Sequence, residues 1–333
     1  MSAAPLRIVS GMRPTGRLHL GHLLGTLHNW RALQERAECF FFIADWHALT
    51  TDYDRSESVS ANILEMVVDW LAAGIDPERA TIFVQSAIPE HAELHLLLSM
   101  ITPVGWLERV PTYKEMQQQL EDRDLSTYGF LGYPVLQAAD ILMYNATGVP
   151  VGADQVPHVE LTREIARRFN HLFGETFAEP QALLADTPRV PGLDGRKMSK
   201  SYGNAVYLAD DADEVKAKLS RMMTDPRRAR RRDPGDPEDC PVYNLHRVYC
   251  TPEELAYTAQ GCRTAEIGCL ECKHIMIARA EEELAPLRAR RAELAARPDE
   301  VRAILARGTA HAHAVAAETM ALVRARVGVG GSA

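Results

Sequence analysis

Short apolar runs alternate with segments of helical period along the N-terminal part of the chain. Apolar runs predict strands at residues 6–10, 39–45, 80–85 and 149–152. Apolar residues three and four positions apart predict helices over residues 18–36, 62–71, 91–100, 113–120, 133–144 and 154–169. Because strands joined through helices pair in parallel, the alternation predicts an α/β fold with a doubly wound parallel sheet.

After Gly203 the pattern changes. Helical spacing fills residues 271–307 and 311–326, and little strand character remains. The 333 residues are enough for about two domains. We therefore expect a Rossmann-like domain over residues 1–203, a helical domain over residues 204–327 and a flexible tail over residues 328–333.

Composition and charge narrow the classes of protein to be considered. With 46% hydrophobic and 25% charged residues, the chain has the balance of a globular protein. A net charge of -8 is not that of a general nucleic-acid binder, so we expect no DNA partner. The sequence lacks both an apolar run long enough to cross a bilayer and a secretion signal, so we expect a cytoplasmic protein without a membrane partner.

The first candidate site is the turn after the first predicted strand. There His19-Leu20-Gly21-His22 follows a glycine-rich loop and opens a helix. A helix N-terminus presents N–H groups that bind phosphate, and histidines three positions apart share a helical face from which they can donate further hydrogen bonds. Gly21 lets an adenine ring approach the backbone. Taken alone, this short string also fits surface histidines that bind nothing.

The second candidate site is the loop Lys197-Met198-Ser199-Lys200-Ser201. Two lysines three positions apart in a glycine-bounded loop can hold a pyrophosphate group as negative charge develops on it. An isolated pair of this kind is more often a solvated basic loop. The joint occurrence of this loop and the histidine string is far more specific than either alone.

These two strings, together with residues 10–16, 133–142 and 149–155, resemble the class I aminoacyl-tRNA synthetases, most closely the bacterial-type tryptophanyl-tRNA synthetases. The resemblance covers nearly the whole chain. It implies a tryptophan–tRNA ligase that uses ATP to convert L-tryptophan to an adenylate and then transfers the amino acid to tRNA(Trp). It also implies Mg²⁺ bound with the ATP and a homodimer.

The resemblance implies catalytic roles for His19, His22, Lys197 and Lys200. The residues expected to bind ATP are Arg13, Pro14, Thr15, Gly21, His22, Lys114, Gly152, Ala153, Asp154, Val190, Lys197, Met198, Ser199, Lys200 and Ser201. Asp154 follows a predicted strand and opens a helix, a position from which acidic residues accept ribose hydroxyls in doubly wound folds.

The tryptophan pocket is expected on the helix over residues 133–144. Tyr133, Gln137 and Asp140 share one face of that helix. A carboxylate on an apolar face needs a hydrogen-bond donor, and an indole N–H is one. By resemblance Asp140 accepts that N–H, and the alternative is that it pairs structurally. The other residues expected to contact tryptophan are Tyr133, Gln137, Gln155, His47, Val9, Gly11, Val149 and Val151.

Five of the six cysteines lie between residues 240 and 272. The candidate metal ligands are Cys240, Cys262, Cys269 and Cys272. Zinc, an iron–sulfur cluster and unliganded thiols all fit the spacing, which by itself slightly favours zinc. The pattern resembles a subset of tryptophanyl-tRNA synthetases with a C-terminal 4Fe–4S cluster, and this implies the iron–sulfur cluster with Zn²⁺ as the alternative.

An arginine-rich segment, residues 227–232, precedes the first of these cysteines. Such runs are generally solvated, but the family uses this domain for the anticodon, so the segment is a candidate for tRNA phosphate contacts. Three rival functions stay open: a tyrosyl-tRNA synthetase, a nucleotidylyltransferase with the same histidine string, and a non-catalytic synthetase paralogue. The first would continue into a separate RNA-binding module, and the second would lack the helical half. The third is disfavoured by the intact strings.

Overall fold

The computed structural model describes residues 6–110, 125–184 and 190–330. In this part of the chain one parallel sheet has the strand order β3-β2-β1-β4-β5. The strands are β1 (Arg7–Met12), β2 (Glu38–Ile43), β3 (Ala80–Val84), β4 (Gly148–Val151) and β5 (Gln181–Leu184). The first four lie where apolar runs predict strands, so the doubly wound parallel sheet is confirmed. β5 is an additional, half-exposed edge strand whose sequence, QALL, lacks β-branched residues.

Helices join and cover the strands. In the described ranges they are α1 (Leu20–His22), α2 (His28–Leu33), α3 (Asp45–Asp52), α4 (Ser56–Ala72), α5 (Glu90–Ser99), α6 (Val104–Leu107), α7 (Tyr128–Met143), α8 (Val156–Phe173), α9 (Ala212–Arg221), α10 (Pro241–Tyr249), α11 (Pro252–Thr264), α12 (Cys269–Ala295) and α13 (Pro298–Val327). A π-helical turn, Leu23–Leu27, joins α1 to α2. The helix predicted over residues 113–120 lies outside the described residues. No described helix is long and apolar enough to span a membrane.

The central strand β1 separates the two halves of the sheet. The chain builds outward from β1 to β3 and then returns to place β4 on the other side of β1. Ile8 therefore pairs with Cys39 of β2 on one side and with Gly148 of β4 on the other. In open α/β sheets, ligands bind outside the carboxyl ends of the strands where the strand order reverses. We call this region, between the ends of β1 and β4, the crevice.

Two apolar clusters cover the two faces of the sheet, and β2 contributes to both. Phe41 stacks on Trp30 with ring centroids 4.3 Å apart, and Trp30 meets Trp70 edge-on at 4.9 Å. Phe40 points to the opposite face and stacks on Tyr144 at 4.6 Å. Aromatic pairs in these geometries add to the free energy gained by burial alone. The unbroken apolar run of β2 thus reflects a strand covered on both faces.

The helices after Gly203 pack into the same clusters. Met276 and Leu284 of α12 belong to the Trp30 cluster, and Ala316 of α13 belongs to the Phe40 cluster. Helix α13 packs along the edge strand β3 and also contacts α4, α5 and α7. The last helix of the chain therefore helps to close the core of the sheet.

The predicted break between residues 307 and 311 is wrong. Helix α12 ends at Ala295 and α13 begins at Pro298, where the fixed φ of proline suits the first helical position. Gly308 lies inside α13, and a Cβ there would be 1.9 Å from the carbonyl oxygen of Ile82. Glycine at this position therefore lets the backbones of α13 and β3 touch, and does not end the helix.

Candidate active site

Two histidines cap the helix that begins in the crevice. His19 precedes α1, and its Nδ1 accepts a hydrogen bond from the Gly21 N–H at 3.1 Å. The Nδ1 of His22 accepts one from the His19 N–H, also at 3.1 Å. Because both Nδ1 atoms accept, each neutral ring carries its proton on Nε2. The caps therefore fix two ring N–H donors beside the loop that follows β1.

A buried amide shapes the loop over residues 197–201. Asn204 is 3% exposed, and its Oδ1 accepts a hydrogen bond from the Ser199 N–H at 2.8 Å. Its Nδ2 donates to the Lys197 carbonyl at 3.2 Å and to Asp194 Oδ1 at 2.7 Å. Gly192 packs against this amide, since a Cβ there would lie 2.2 Å from Asn204 Nδ2. Asn204 thus fixes the backbone from which both lysines project.

The histidine string and the lysine loop meet in the structure. Lys200 Nζ donates to the Gly16 carbonyl at 2.7 Å, although the two residues are 184 positions apart. A Cβ on Gly21 would lie 3.9 Å from the Met198 Cβ. The chain just after the loop pairs with the start of α1 through a hydrogen bond from the Leu20 N–H to the Val206 carbonyl at 3.0 Å. Both strings therefore line one end of the crevice.

Burial and neighbouring positive charges lower three pKa values in this part of the crevice. Burial, followed by the charges of Lys200 and Lys197, lowers the pKa of His19 to about 4. Burial, His19 and Lys200 hold the pKa of His22 well below its usual value. Burial and the neighbouring Arg13 lower the pKa of Lys200 to about 8. A polyanionic ligand would offset this clustering of positive charge.

The other residues expected at the nucleotide lie near the ends of β1 and β4. Arg13 and Thr15 are exposed in the loop after β1, and the buried Pro14 accepts a hydrogen bond from the Asn62 side chain at 3.3 Å. Val190 is 7% exposed, and its carbonyl accepts a hydrogen bond from the Met198 N–H at 3.2 Å.

Gly152 directly follows β4, and a Cβ there would lie 2.7 Å from Asp154 Oδ1. Ala153 and Asp154 are exposed in the short turn that follows. The Ser199 and Ser201 hydroxyls are 2.9 Å apart. Lys114 lies outside the described residues.

Asp140 is buried at the other end of the crevice. It is 1% exposed, and it accepts hydrogen bonds from His47 Nε2 at 2.7 Å and from His91 Nδ1 at 2.6 Å. Gln85 Nε2 donates to its two oxygens at 2.8 and 2.9 Å. Burial alone would raise the pKa of Asp140, but the hydrogen bonds from His47 and His91 outweigh it and lower the pKa to about 2. The side chain is therefore an ionised acceptor.

The remaining residues expected at tryptophan lie around the same end of the crevice. Val9, Val149 and Val151 are buried. Gly11 lies against the ring of Phe42, since a Cβ there would be 2.4 Å from a ring carbon. The hydroxyl of Tyr133 is 2.9 Å from His158 Nε2. Gln137 is half-buried on α7, and Gln155 is exposed just before α8.

Sequence reasoning missed several residues of these networks, among them Gln85, His91 and Asn204. Gln85 is the first polar residue after β3, and a polar side chain at the carboxyl end of a buried strand is a signal that could have found it. His91 and Asn204 carry no such local signal, because their partners are set by tertiary packing.

The clustered cysteines come from three neighbouring helices. Cys240 precedes α10, Cys262 lies in α11, and Cys269 and Cys272 lie in the first turn of α12. Burial, followed by the other thiols of the cluster, raises the pKa of Cys272 to about 12. In residues 6–110, 125–184 and 190–330, no group of three or more His, Cys, Asp or Glu side chains is arranged to hold a metal ion. The metal site therefore stays a prediction.

Cys250 and Cys272 flank the ring of one buried histidine. The Cys250 Sγ is 3.2 Å from His246 Nδ1, and the Cys272 Sγ is 3.3 Å from His246 Nε2. His246 therefore links Cys250 to Cys272, one of the four candidate metal ligands.

The arginine-rich segment divides into structural and exposed residues. Arg228 is 9% exposed and donates to the carbonyls of Asp233, Arg231 and Ile267. Arg227 pairs with two aspartates. The side chains of residues 230–232 are exposed. Arg227 is exposed as well but is engaged by its two aspartates, so residues 230–232 are the better candidates for contacts with a partner.

Comparison with known proteins identifies the family. The family model described as tRNA synthetases class I (W and Y) matches residues 1–285. The tryptophan–tRNA ligase of Thermotoga maritima is 54% identical over 321 residues, which cover 96% of this chain and 98% of that protein. The chain belongs to the bacterial-type tryptophanyl-tRNA synthetases. The tryptophan–tRNA ligase of Ralstonia nicotianae is 47% identical to this synthetase. The match covers 98% of this chain and 99% of that protein.

A solved structure supports the same assignment. The tryptophanyl-tRNA synthetase of Campylobacter jejuni, complexed with ADP and tryptophan, superimposes on this synthetase with a TM-score of 0.87 and 31% identity. The match covers 97% of this chain and 100% of that chain. The predicted function, tryptophan–tRNA ligase, is confirmed in preference to the tyrosyl and nucleotidylyltransferase alternatives. These matches place the chain in the family and do not assign it to the subset of the family with a C-terminal cysteine cluster.

Proposed function

We propose that the ligase binds ATP at the end of the crevice lined by the histidine string and the lysine loop, and L-tryptophan at the end that holds Asp140. The observation that carries this proposal is the contact of Lys200 with Gly16, which brings the two strings together. The low pKa values of His19 and Lys200 further support a site for polyphosphate.

In the activation step, a carboxylate oxygen of tryptophan attacks the α-phosphorus of ATP. A new P–O bond forms, the bond from the α-phosphorus to the oxygen bridging to the β-phosphate breaks, and pyrophosphate leaves with the electron pair. No proton has to be transferred, so the side chains act by positioning and by stabilising charge. Lys197 and Lys200 would neutralise the departing pyrophosphate, while the Nε2–H groups of His19 and His22 would donate to phosphate oxygens. Mg²⁺ would enter with ATP.

Selection of tryptophan is assigned to Asp140. Its buried, ionised carboxylate accepts the indole N–H in the proposed complex. Phenylalanine offers no such donor, so its ring bound in the same place would leave the carboxylate with one partner fewer, which costs about 1–3 kcal/mol. Tyr133, Gln137 and Gln155 are assigned to the amino and carboxylate ends of the substrate, while His47, Val9, Gly11, Val149 and Val151 are assigned to the pocket wall.

Amino-acid-dependent ATP–pyrophosphate exchange tests substrate and chemistry together. Anaerobically purified protein is expected to exchange label with tryptophan and not with tyrosine. Exchange with tyrosine would refute the role of Asp140. Absence of exchange with either amino acid would refute catalysis by this chain.

Lysine variants test the assignment of the loop. Lys197→Ala is expected to lower the rate of adenylate formation by about 100-fold or more, because this charge acts mainly in the transition state. Tryptophan affinity, measured by calorimetry without ATP, should stay within about twofold. Equal losses in rate and affinity would contradict the assignment.

The cysteine cluster is proposed to bind a 4Fe–4S cluster through Cys240, Cys262, Cys269 and Cys272. The donor set supports this, because four thiolates from neighbouring helices suit iron–sulfur chemistry. A single zinc ion would require the four sulfur atoms to lie about 3.8 Å apart, since Zn–S bonds are about 2.3 Å long. In residues 6–110, 125–184 and 190–330 no group of three or more His, Cys, Asp or Glu side chains is arranged to hold a metal ion, so the choice between iron–sulfur and zinc rests on metal analysis.

Metal analysis after anaerobic purification tests the proposed cluster. We expect about four iron and four acid-labile sulfide per chain, lost in Cys269→Ser and retained in the matched variant Cys250→Ser. Zinc without sulfide would replace the iron–sulfur assignment by the alternative, and neither metal would refute both.

The helical part after Gly203 is proposed to contact tRNA(Trp), with the three exposed arginines of residues 230–232 binding phosphates. Family membership supports a homodimer as the working assembly. Light scattering of the purified protein is expected to give twice the 37.0 kDa chain mass.

A further inference from the structure

Two buried side chains, Gln85 and His91, bond the Asp140 carboxylate, and a third, Tyr144, bonds His91. Gln85 and His91 are 0% exposed, and His91 Nε2 is 2.7 Å from the hydroxyl of Tyr144, which is 0% exposed as well. We propose that Gln85, His91 and Tyr144 are positioning residues that fix Asp140 so that its Oδ2 is presented to the indole N–H. This inference rests on the proposed function, in which Asp140 accepts that N–H.

The protons of this network follow from the ionised carboxylate. Asp140 can only accept, so the Nδ1 of His91 carries a proton and donates to Oδ1 at 2.6 Å. The Nε2 of His91 shares a hydrogen bond with the Tyr144 hydroxyl at 2.7 Å. Tyr144 keeps its proton, because burial raises the pKa of its phenol far above the usual value. Any rotation of Asp140 away from His91 would leave a buried donor unpaired, which is costly.

Gln85 fixes the plane of the carboxylate. Its Nε2 lies 2.8 Å from Oδ1 and 2.9 Å from Oδ2. Because both oxygens are acceptors, the amide must turn its nitrogen toward Asp140. Gln85 follows β3, His91 lies in α5 and Asp140 lies in α7. Three separate elements therefore define one orientation of the acceptor.

His47 is the hydrogen-bond partner of Asp140 that the substrate can replace. A carboxylate offers about four acceptor positions, and Gln85, His91 and His47 together use all of them. An indole N–H must therefore replace one of the present donors. The His47 side chain is 12% exposed and bonds Oδ2, whereas His91 is 0% exposed. Tryptophan thus displaces His47, and the buried donors stay in place.

The experiment compares L-tryptophan with β-(benzothiophen-3-yl)-L-alanine, in which sulfur replaces the indole N–H with little change in shape. ATP–pyrophosphate exchange gives kcat/KM for both substrates. The unmodified enzyme is expected to prefer tryptophan by about tenfold to 100-fold, as one hydrogen bond to a charged acceptor predicts. In Tyr144→Phe and Gln85→Leu the preference should fall by about threefold or more, mainly through a higher KM for tryptophan, with kcat/KM for the analogue unchanged.

Equal losses with both substrates would make Tyr144 and Gln85 merely structural and would overturn the inference. Tyr144→Phe removes a single atom, so it decides the question even if Gln85→Leu does not fold. Tyr249→Phe is the matched control. It removes a buried hydroxyl that has no hydrogen-bond partner in the described part of the chain and packs against the other apolar cluster, so the preference should not change.

Asp140→Asn distinguishes the proposed role of Asp140 as the indole acceptor from the inferred positioning role of Gln85, His91 and Tyr144. If this variant keeps the full preference for tryptophan, Asp140 is not the indole acceptor, and the proposed function of this residue fails. If it loses the preference while Tyr144→Phe and Gln85→Leu retain it, only the positioning inference fails.

Discussion

The ammonium group of Lys200 lies half-buried near Arg13 at the end of the crevice lined by the histidine string and the lysine loop. It donates to the Gly16 carbonyl, and burial together with Arg13 lowers its pKa to about 8. A lysine with this pKa is partly neutral in mildly alkaline solution, whereas an ordinary lysine is fully charged there. The charge that the proposed mechanism assigns to Lys200 is therefore sensitive to pH.

The pH profile of kcat/KM for ATP reports this group in the free enzyme. Because an amine loses its charge as pH rises through its pKa, activity should fall above pH 8 and be about tenfold lower at pH 9 than at pH 7. In Lys200→Arg the guanidinium stays charged, so this alkaline loss should disappear in whatever activity remains. A loss at the same pH in both proteins would assign it to another group.

At the scale of the elements, α13 and β3 touch through their backbones. Gly308 leaves no room for a side chain, since a Cβ would meet the Ile82 carbonyl at 1.9 Å. In most helices, replacing an interior glycine by alanine stabilises the fold by up to about 1 kcal/mol. Here the steric contact reverses the sign of that effect.

Gly308→Ala should lower the free energy of unfolding by about 1–3 kcal/mol, the usual cost of overpacking. Urea denaturation measures this change. Gly129→Ala on α7 is the matched control, because a Cβ there would meet no described atom within 4 Å apart from its chain neighbours and the backbone of its own helix, and it should be neutral or stabilising. A stable Gly308→Ala protein would show that α13 can move away from β3.

Local patterns predicted the elements that are buried on both faces and missed those defined by contacts. The aromatic run of β2 predicts a strand correctly because apolar clusters cover both faces of that strand, which leaves an unbroken apolar sequence. β5 is half-exposed and lacks that signal, and the position of Gly308 inside a helix depends on a strand far away in sequence. In the candidate site, residue types and spacing are enough to identify the histidine string and the lysine loop. Partners such as Gln85 and Asn204 depend on how the helices and loops pack, which periodicity does not encode.

At the scale of the whole molecule, an acidic chain has to bind a polyanion. The net charge is -8, so attraction to tRNA must come from local groups. Within the arginine-rich segment, Arg228 is committed to backbone carbonyls and Arg227 to aspartates. The other three arginines of the segment, residues 230–232, have exposed side chains and are the candidates for contacts with tRNA phosphates.

Replacing Arg230, Arg231 and Arg232 by glutamine should weaken tRNA(Trp) binding and reduce the slope of log K against log salt by about 0.7 for each lost contact with single-stranded RNA. Filter binding at several salt concentrations measures the slope, and adenylate formation should be unaffected. Arg302→Gln, an exposed arginine of α13 paired with Asp299, is the matched control. An unchanged slope in the triple variant would refute the phosphate contacts.

The packing of α13 on β3 also bears on how the chain folds during its synthesis. β3 is translated long before α13, yet the backbone of α13 covers it at Gly308 and Ala316 completes the apolar cluster behind it. On the ribosome, the edge of the sheet therefore stays open until the final helix emerges from the exit tunnel. In that interval the uncovered strand is a site where nascent chains on one message could associate, and a chaperone that shields strand edges would act at this stage.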